Sequence, residues 1–301
     1  MLSVVSSVVL LAPFVVGPAS LETSYDKLKE AVAKKDAVQV KTLAADACAL
    51  ARAAAALPAP ADDDEKDAWT KRVAFARDVE LYSEYSLYAT AVQAPPENTV
   101  ELLAALEEQN PKSKYLSDAY GAYFYALRKT GGAAKIPGIS EKAIANFPEN
   151  DDLLMVLTES AYGRKQNDRA LNYAKRLVVA INKHGRPEGM SAADWERKCT
   201  AALSSGYWIA GVVEAEKATY FDADRDLRAA LPLVAGNEAR KATALFYLGL
   251  SNYQLGKMTM KKPLVLEAVK FSQEAAAIQG PLAQQAWHNA QVMKDEAAKM
   301  H

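Results

Sequence analysis

A chain of 301 residues, half of them apolar and about a quarter charged, with a net charge of -1, is composed as a folded protein rather than a disordered or polyionic one. Its 36 Lys and Arg are cancelled by 37 Asp and Glu with no long run of one sign, so the basic footprint of a nucleic-acid binder is missing. No segment after the leader approaches the roughly 18 consecutive apolar residues of a membrane span.

Residues 2–16 are apolar and uncharged, and Gly17, Pro18, Ala19 and Ser20 supply the small residues that follow an export segment. Residues 1–20 are therefore expected to be a signal peptide, which would place the mature protein in a periplasm or outside the cell. No Lys or Arg precedes the run, which leaves open an apolar element that docks on the body. Export would permit a disulfide, but Cys48 and Cys199 lie far apart, each within a helical apolar pattern, and both read as small buried hydrophobes.

Almost every segment longer than ten residues carries apolar residues at i, i+3, i+4 and i+7, and none alternates convincingly at period two. An all-α chain is expected. Residues 24–33 and 38–56 form a first helix pair, the second helix rich in Ala and so closely packed. Residues 59–65 are an acidic linker whose Asp62, Asp63 and Asp64 start the next helix, where carboxylates complement the dipole. Residues 67–92 are a long helix carrying Tyr82, Tyr85 and Tyr88, with a short partner at 99–108. Together, residues 21–110 make an N-terminal set of helix pairs.

From about residue 111 to 280 a motif recurs at a spacing near 34 residues. Tyr120 and Ala143 are followed 34 positions later by Leu154 and Leu177. Tyr207, Gly211, Ala223 and Ala230 repeat the internal spacing, and Leu245, Leu248, Gly249 and Gly256 open a further unit. The units are 117–150, 151–182 and 204–237, followed by one whose second helix is delayed by the basic segment 257–263. An insertion near 183–203 contributes a polar loop and a helix start at Ser191 and Asp194, which extends the next helix at its front by about three turns, about 18 Å. Residues 281–301 form a charged capping helix. A period of this length implies helix pairs stacked into a solenoid, because one pair cannot bury its apolar face alone.

These residues resemble the tetratricopeptide repeat family. Gly211, Gly249, Ala223, Ala230 and Ala143 stand at the small positions that let the two helices of such a unit approach. The likeness is specific for 204–237 and 245–256 and weaker elsewhere, since Phe124 stands at a small position and Pro137 interrupts the start of one second helix. The chain is also similar to exported bacterial proteins of this repeat class that have no assigned activity. The resemblance implies a right-handed helical-repeat solenoid of stacked antiparallel helix pairs, and a scaffold that holds a protein or peptide ligand on a concave face lined by the first helix of each pair. Carried onto this sequence, that face presents Tyr125, Arg128 and Lys129, then Glu159 and Tyr162, then Trp208 and Val212, then Tyr247, Leu250 and Tyr253. The alternative is inter-repeat packing for each of these side chains. A second functional class, a structural subunit that associates with its own copies, also fits a stack with an open end.

No reaction is named by any residue set. His184, His288 and His301 lack neighbours at ligand spacing, so no metal or cofactor is expected. Asp222, Asp224 and Asp226 imitate half of a calcium loop, but Leu227 takes the place of its Gly and Leu233 that of its bidentate Glu, so solvated helix charge is expected there. Residues 131–135 lack the ending of a phosphate loop. The chain is expected not to be an enzyme.

Overall fold

The computed structural model describes residues 20–187 and 189–300; the apolar run at 2–16 and His301 lie outside them. All regular structure among the described residues is helical. Chain contacts divide it into two compact units that meet between Thr130 and Gly131.

The first unit holds α1 (Leu21–Ala33), α2 (Ala37–Ala55), α3 (Asp63–Ala91), α4 (Pro96–Gln109) and α5 (Lys114–Lys129). Side-chain caps set the starts. Ser20, Asp36 and Asp62 each accept a first-turn N–H, and Asp63, Asp64 and Glu65 then oppose the α3 dipole. The acidic run thus begins α3 four residues ahead of the expected start at 67. The two helices flanking the α3–α4 turn are pinned by Thr99, whose hydroxyl donates to Ala91 O at 2.9 Å. Ala44, Ala47 and Ala51 make the inner stripe of α2, and α2 packs against α1, α3 and α4. Leu28, Val79, Leu87, Leu102, Leu103, Leu106 and Leu116 fill this core.

The second unit begins with a 3-10 turn, Ala133–Lys135, and α6 (Ile136–Ala143). Pro137 lies in the first turn of α6 and initiates it rather than interrupting it, because an N–H there would have had no helical partner. The expected repeat at 117–150 is split, its first helix belonging to one unit and α6 to the other. Then follow α7 (Asp151–Gly163), α8 (Asn167–Lys183), α9 (Ala192–Glu216), α10 (Tyr220–Ala230), α11 (Glu238–Met258), α12 (Lys262–Ala277) and α13 (Ala283–Lys299). The inserted front of α9 is continuous helix, started by Ser191, whose hydroxyl accepts from Asp194 N. The basic segment 257–263 does not delay α12 by a loop. Its first two residues end α11, 259–261 make the short turn, and Lys262 starts α12.

Each of these helices packs on the next, and α9 also packs on α7 and α11. A Cβ added at Gly249 would come 2.5 Å from Ser272 Oγ, and one at Gly256 2.5 Å from Val265 Cγ2. Moving forward along α11 therefore moves backward along α12, so the pair is antiparallel with its axes close. Gly211 plays the same part against Leu227.

One turn recurs. Lys35, Lys165, Ala218 and Met260 adopt φ of 55 to 61°. The residue after each donates its N–H five positions back, to Ala31, Ala161, Glu214 and Gly256 respectively, at 2.9–3.1 Å. This is the left-handed termination that glycine usually provides, and here it joins α1 to α2, α7 to α8, α9 to α10 and α11 to α12.

Candidate functional site

In the first unit, aromatic residues from three helices form a ladder. Phe75, Tyr82, Tyr85 and Tyr88 follow one another on α3 at steps of seven, three and three, which keeps them on one face. Tyr25 of α1 and Tyr115 of α5 fill the gaps between them. Ring centroids run Phe75 to Tyr25 5.9 Å, Tyr25 to Tyr82 5.1 Å, Tyr82 to Tyr85 6.3 Å, Tyr85 to Tyr115 5.6 Å and Tyr115 to Tyr88 5.6 Å. Lys29 Nζ lies 4.4 Å from the Tyr25 ring and Lys114 Nζ 5.1 Å from that of Tyr115. Tyr85 is 44 % exposed and the other five rings are half-buried, so each offers surface to solvent while its body is held. Burial pushes the Tyr88 phenol up, with the Asp118 carboxylate adding to it.

Tyr125, Arg128 and Lys129, on the last turns of α5, point into solvent. Tyr125 is 58 % exposed, and Lys129 Nζ sits 5.5 Å from its ring.

In the second unit, α7, α9 and α11 bring Glu159, Tyr162, Trp208 and Tyr247 together. Glu159 accepts from Ser205 Oγ at 3.0 Å and lies 3.5 Å from Arg240 Nη2. The Arg240 guanidinium is 5.2 Å from the Trp208 ring, and the indole N–H donates to Arg240 O at 2.9 Å. Tyr162 meets Trp208 edge to face at 5.4 Å. The Tyr247 hydroxyl donates to Glu216 at 3.0 Å. Its phenol is pushed up to about 12 by burial and by that bond.

Trp208, 9 % exposed, and Val212 are core residues of this unit, so neither is offered to a ligand as expected. Both stand on α9, which packs against α7, α8, α10 and α11, and so the residues that the resemblance assigned to an open face are enclosed. Glu159 remains exposed, and Tyr162 and Tyr247 half-buried. Leu250 and Tyr253 join a different cluster, with Val265, Val269 and Met293.

No family model and no curated protein matches the chain. Function must therefore be argued from these groups alone. Among the described residues no three His, Cys, Asp or Glu side chains converge as a metal site. The nearest approach to a polar centre is Lys198, whose ammonium lies 2.7 Å from Asp151 and 3.0 Å from Asp152, with His184 Nδ1 3.6 Å from Asp151. Burial pulls the Lys198 ammonium down, but Asp152 and Asp151 outweigh it and hold the group above its usual value. A lysine fixed as a charged strut between α9 and the start of α7 is not available as a base.

The acidic triplet on α10 departs from the solvated charge expected of it. Asp224 accepts from Arg228 at 2.8 Å and from the buried Asn252 at 2.6 Å, tying α10 to α11. Asp226 is itself buried. Cys48 is buried and Cys199 half-buried, each with a free thiol.

The ladder was only partly visible in sequence. The stripe on α3 could have been found from the spacing of Phe75, Tyr82, Tyr85 and Tyr88. The insertion of Tyr25 and Tyr115 could not, because they stand 27 to 57 positions from their ring partners.

Proposed function

We propose that the chain is a non-catalytic, exported scaffold that holds a protein or peptide partner against the faces of its first-in-pair helices. In this reading the helix pairs stack as a right-handed solenoid resembling tetratricopeptide repeats. The recurrent left-handed turn between paired helices and the close glycine contacts support it. The aromatic ladder on α1, α3 and α5 is the observation that carries the binding role. Six rings already fixed by mutual contact lose little side-chain freedom on binding, while their exposed edges and phenol groups combine apolar area with hydrogen bonding. Among the described residues no helix is long and apolar enough to cross a membrane. The apolar run at 2–16 supports export to a periplasmic or extracellular place.

Capture of binding partners from separate envelope and cytosolic extracts tests both parts. Wild-type protein should retain an envelope protein, and replacing Tyr85 and Tyr115 with Ala should weaken retention about tenfold or more with helix content unchanged, the loss typical of two anchors at an interface. Equal capture by both proteins would refute the assigned face, and capture confined to cytosolic extract would refute export.

A second reading, a subunit that assembles with its own copies, is favoured by Trp287, which is 59 % exposed on α13, with Val292 also exposed on that terminal helix. Elution of pure protein as long polymers would favour it over the scaffold.

A further inference from the structure

Where α9 turns into α10 and α11 into α12, apolar side chains stand outside the packing of the second unit. Phe221 is 68 % exposed, Met258 67 % and Met260 80 %. Phe221 and Met258 face one cleft of about 200 Å³, which Ala218, Tyr220 and Leu255 also line.

The four left-handed turns supply an internal comparison. At the left-handed position itself the other three carry Lys35, Lys165 and Ala218, and two positions earlier Ala33, Gly163 and Glu216. None of these is a large apolar residue, whereas the α11–α12 turn has Met260 and Met258 at the same places. The residue that starts the second helix is Asp36, Gln166 or Thr219 in the other turns and Lys261 here. A cation at that place opposes the α12 dipole and works against the helix it precedes. The turn geometry thus requires neither the thioethers nor the lysine.

Charge along this turn has one sign, since 257–263 holds Lys257, Lys261 and Lys262 and no carboxylate. Lys261 is exposed, Lys257 approaches Glu296 only to 3.9 Å, and Lys262 donates to Met300 O at 2.7 Å. Asp222, at the edge of the cleft, is offset by Arg225 at 2.9 Å. Apolar groups that project from turn tips beside lysines can leave water among acyl chains while the ammonium groups stay with anionic headgroups. The cleft is smaller than the about 300–1,000 Å³ of ordinary ligand pockets, so it accepts one side chain or one chain end rather than a peptide. We propose that this edge of the second unit docks on a membrane surface carrying anionic lipid, with Phe221, Met258 and Met260 entering the headgroup boundary and Lys261 beside the lipid phosphates. The docking does not depend on the scaffold reading, whose aromatic ladder lies in the first unit.

Co-sedimentation of the full chain with vesicles of phosphatidylcholine, alone or mixed with phosphatidylglycerol, tests the anchor. Wild type should bind the anionic vesicles better than the neutral ones. Lys261→Glu should lower that binding about fivefold or more, and Met258→Ser with Met260→Ser about tenfold or more. Undiminished binding by either variant would overturn the proposal. Residues 2–16 are themselves apolar, so a second measurement reads the turn directly. A polarity-sensitive dye is attached to Met260→Cys in a chain with Cys199→Ser, Cys48 being buried. Its emission should shift to the blue on anionic vesicles, and sedimented protein with unshifted emission would overturn the proposal by showing that another segment binds. A dimer in lipid-free buffer that the double serine variant dissolves would overturn it in favour of a second copy of the chain.

Discussion

Lys35, Lys165, Ala218 and Met260 hold the left-handed backbone with side chains whose Cβ opposes it. That conformation costs an L-residue about 1–2 kcal/mol, which glycine avoids at some expense in unfolded-state entropy. Ala218→Gly should therefore raise stability by about 0.5–1 kcal/mol, read as a higher midpoint in denaturant, and an unchanged or lower midpoint would mean that the turn is not strained. Such strain was not legible in the sequence, where a Gly or Asn would have announced the turn and a lysine, alanine or methionine does not. The same holds for Glu214 and Asp226. Helical periodicity assigns charge to the outside, yet both are buried.

Helices were the most legible level. Prolines at 96, 137 and 263 stand in first turns, and Ser20, Asp36, Asp62, Asn150, Ser191 and Asn237 accept the first N–H groups. Chemistry of this kind is local, so it can be read from neighbours in the chain. Contacts between helices were legible only where small residues marked them. Gly249 is such a case, since a Cβ there would meet Ser272 Oγ at 2.5 Å and Ala268 O at 3.4 Å. Gly249→Leu should destabilise the chain by about 1–3 kcal/mol or more through separation of α11 from α12. Thermal unfolding would show it, and an unchanged midpoint with unchanged helix content would contradict the close pairing. Where the contact is made by large rings, as for Tyr25 between Phe75 and Tyr82, no spacing rule reaches across the intervening helix. Trp208 shows the converse, a residue that the family resemblance assigned to an open face but that Tyr162, Arg240 and the flanking helices cover.

For the whole molecule, the arrangement repeats at the level of pairs: the same turn closes four of them, and small residues bring α9 to α10 and α11 to α12. Within each unit the faces of stacked helices supply the surface that the proposed scaffold would use. The ladder of the first unit concentrates the aromatic area, and its binding role is the central claim. The most direct measurement places a photo-reactive amino acid at position 85 or, as a control, at Val179, which is exposed on α8, and irradiates the living host. The account predicts a discrete adduct with a second protein from position 85 and none from 179. The same adducts from both positions, or none from 85, would contradict it.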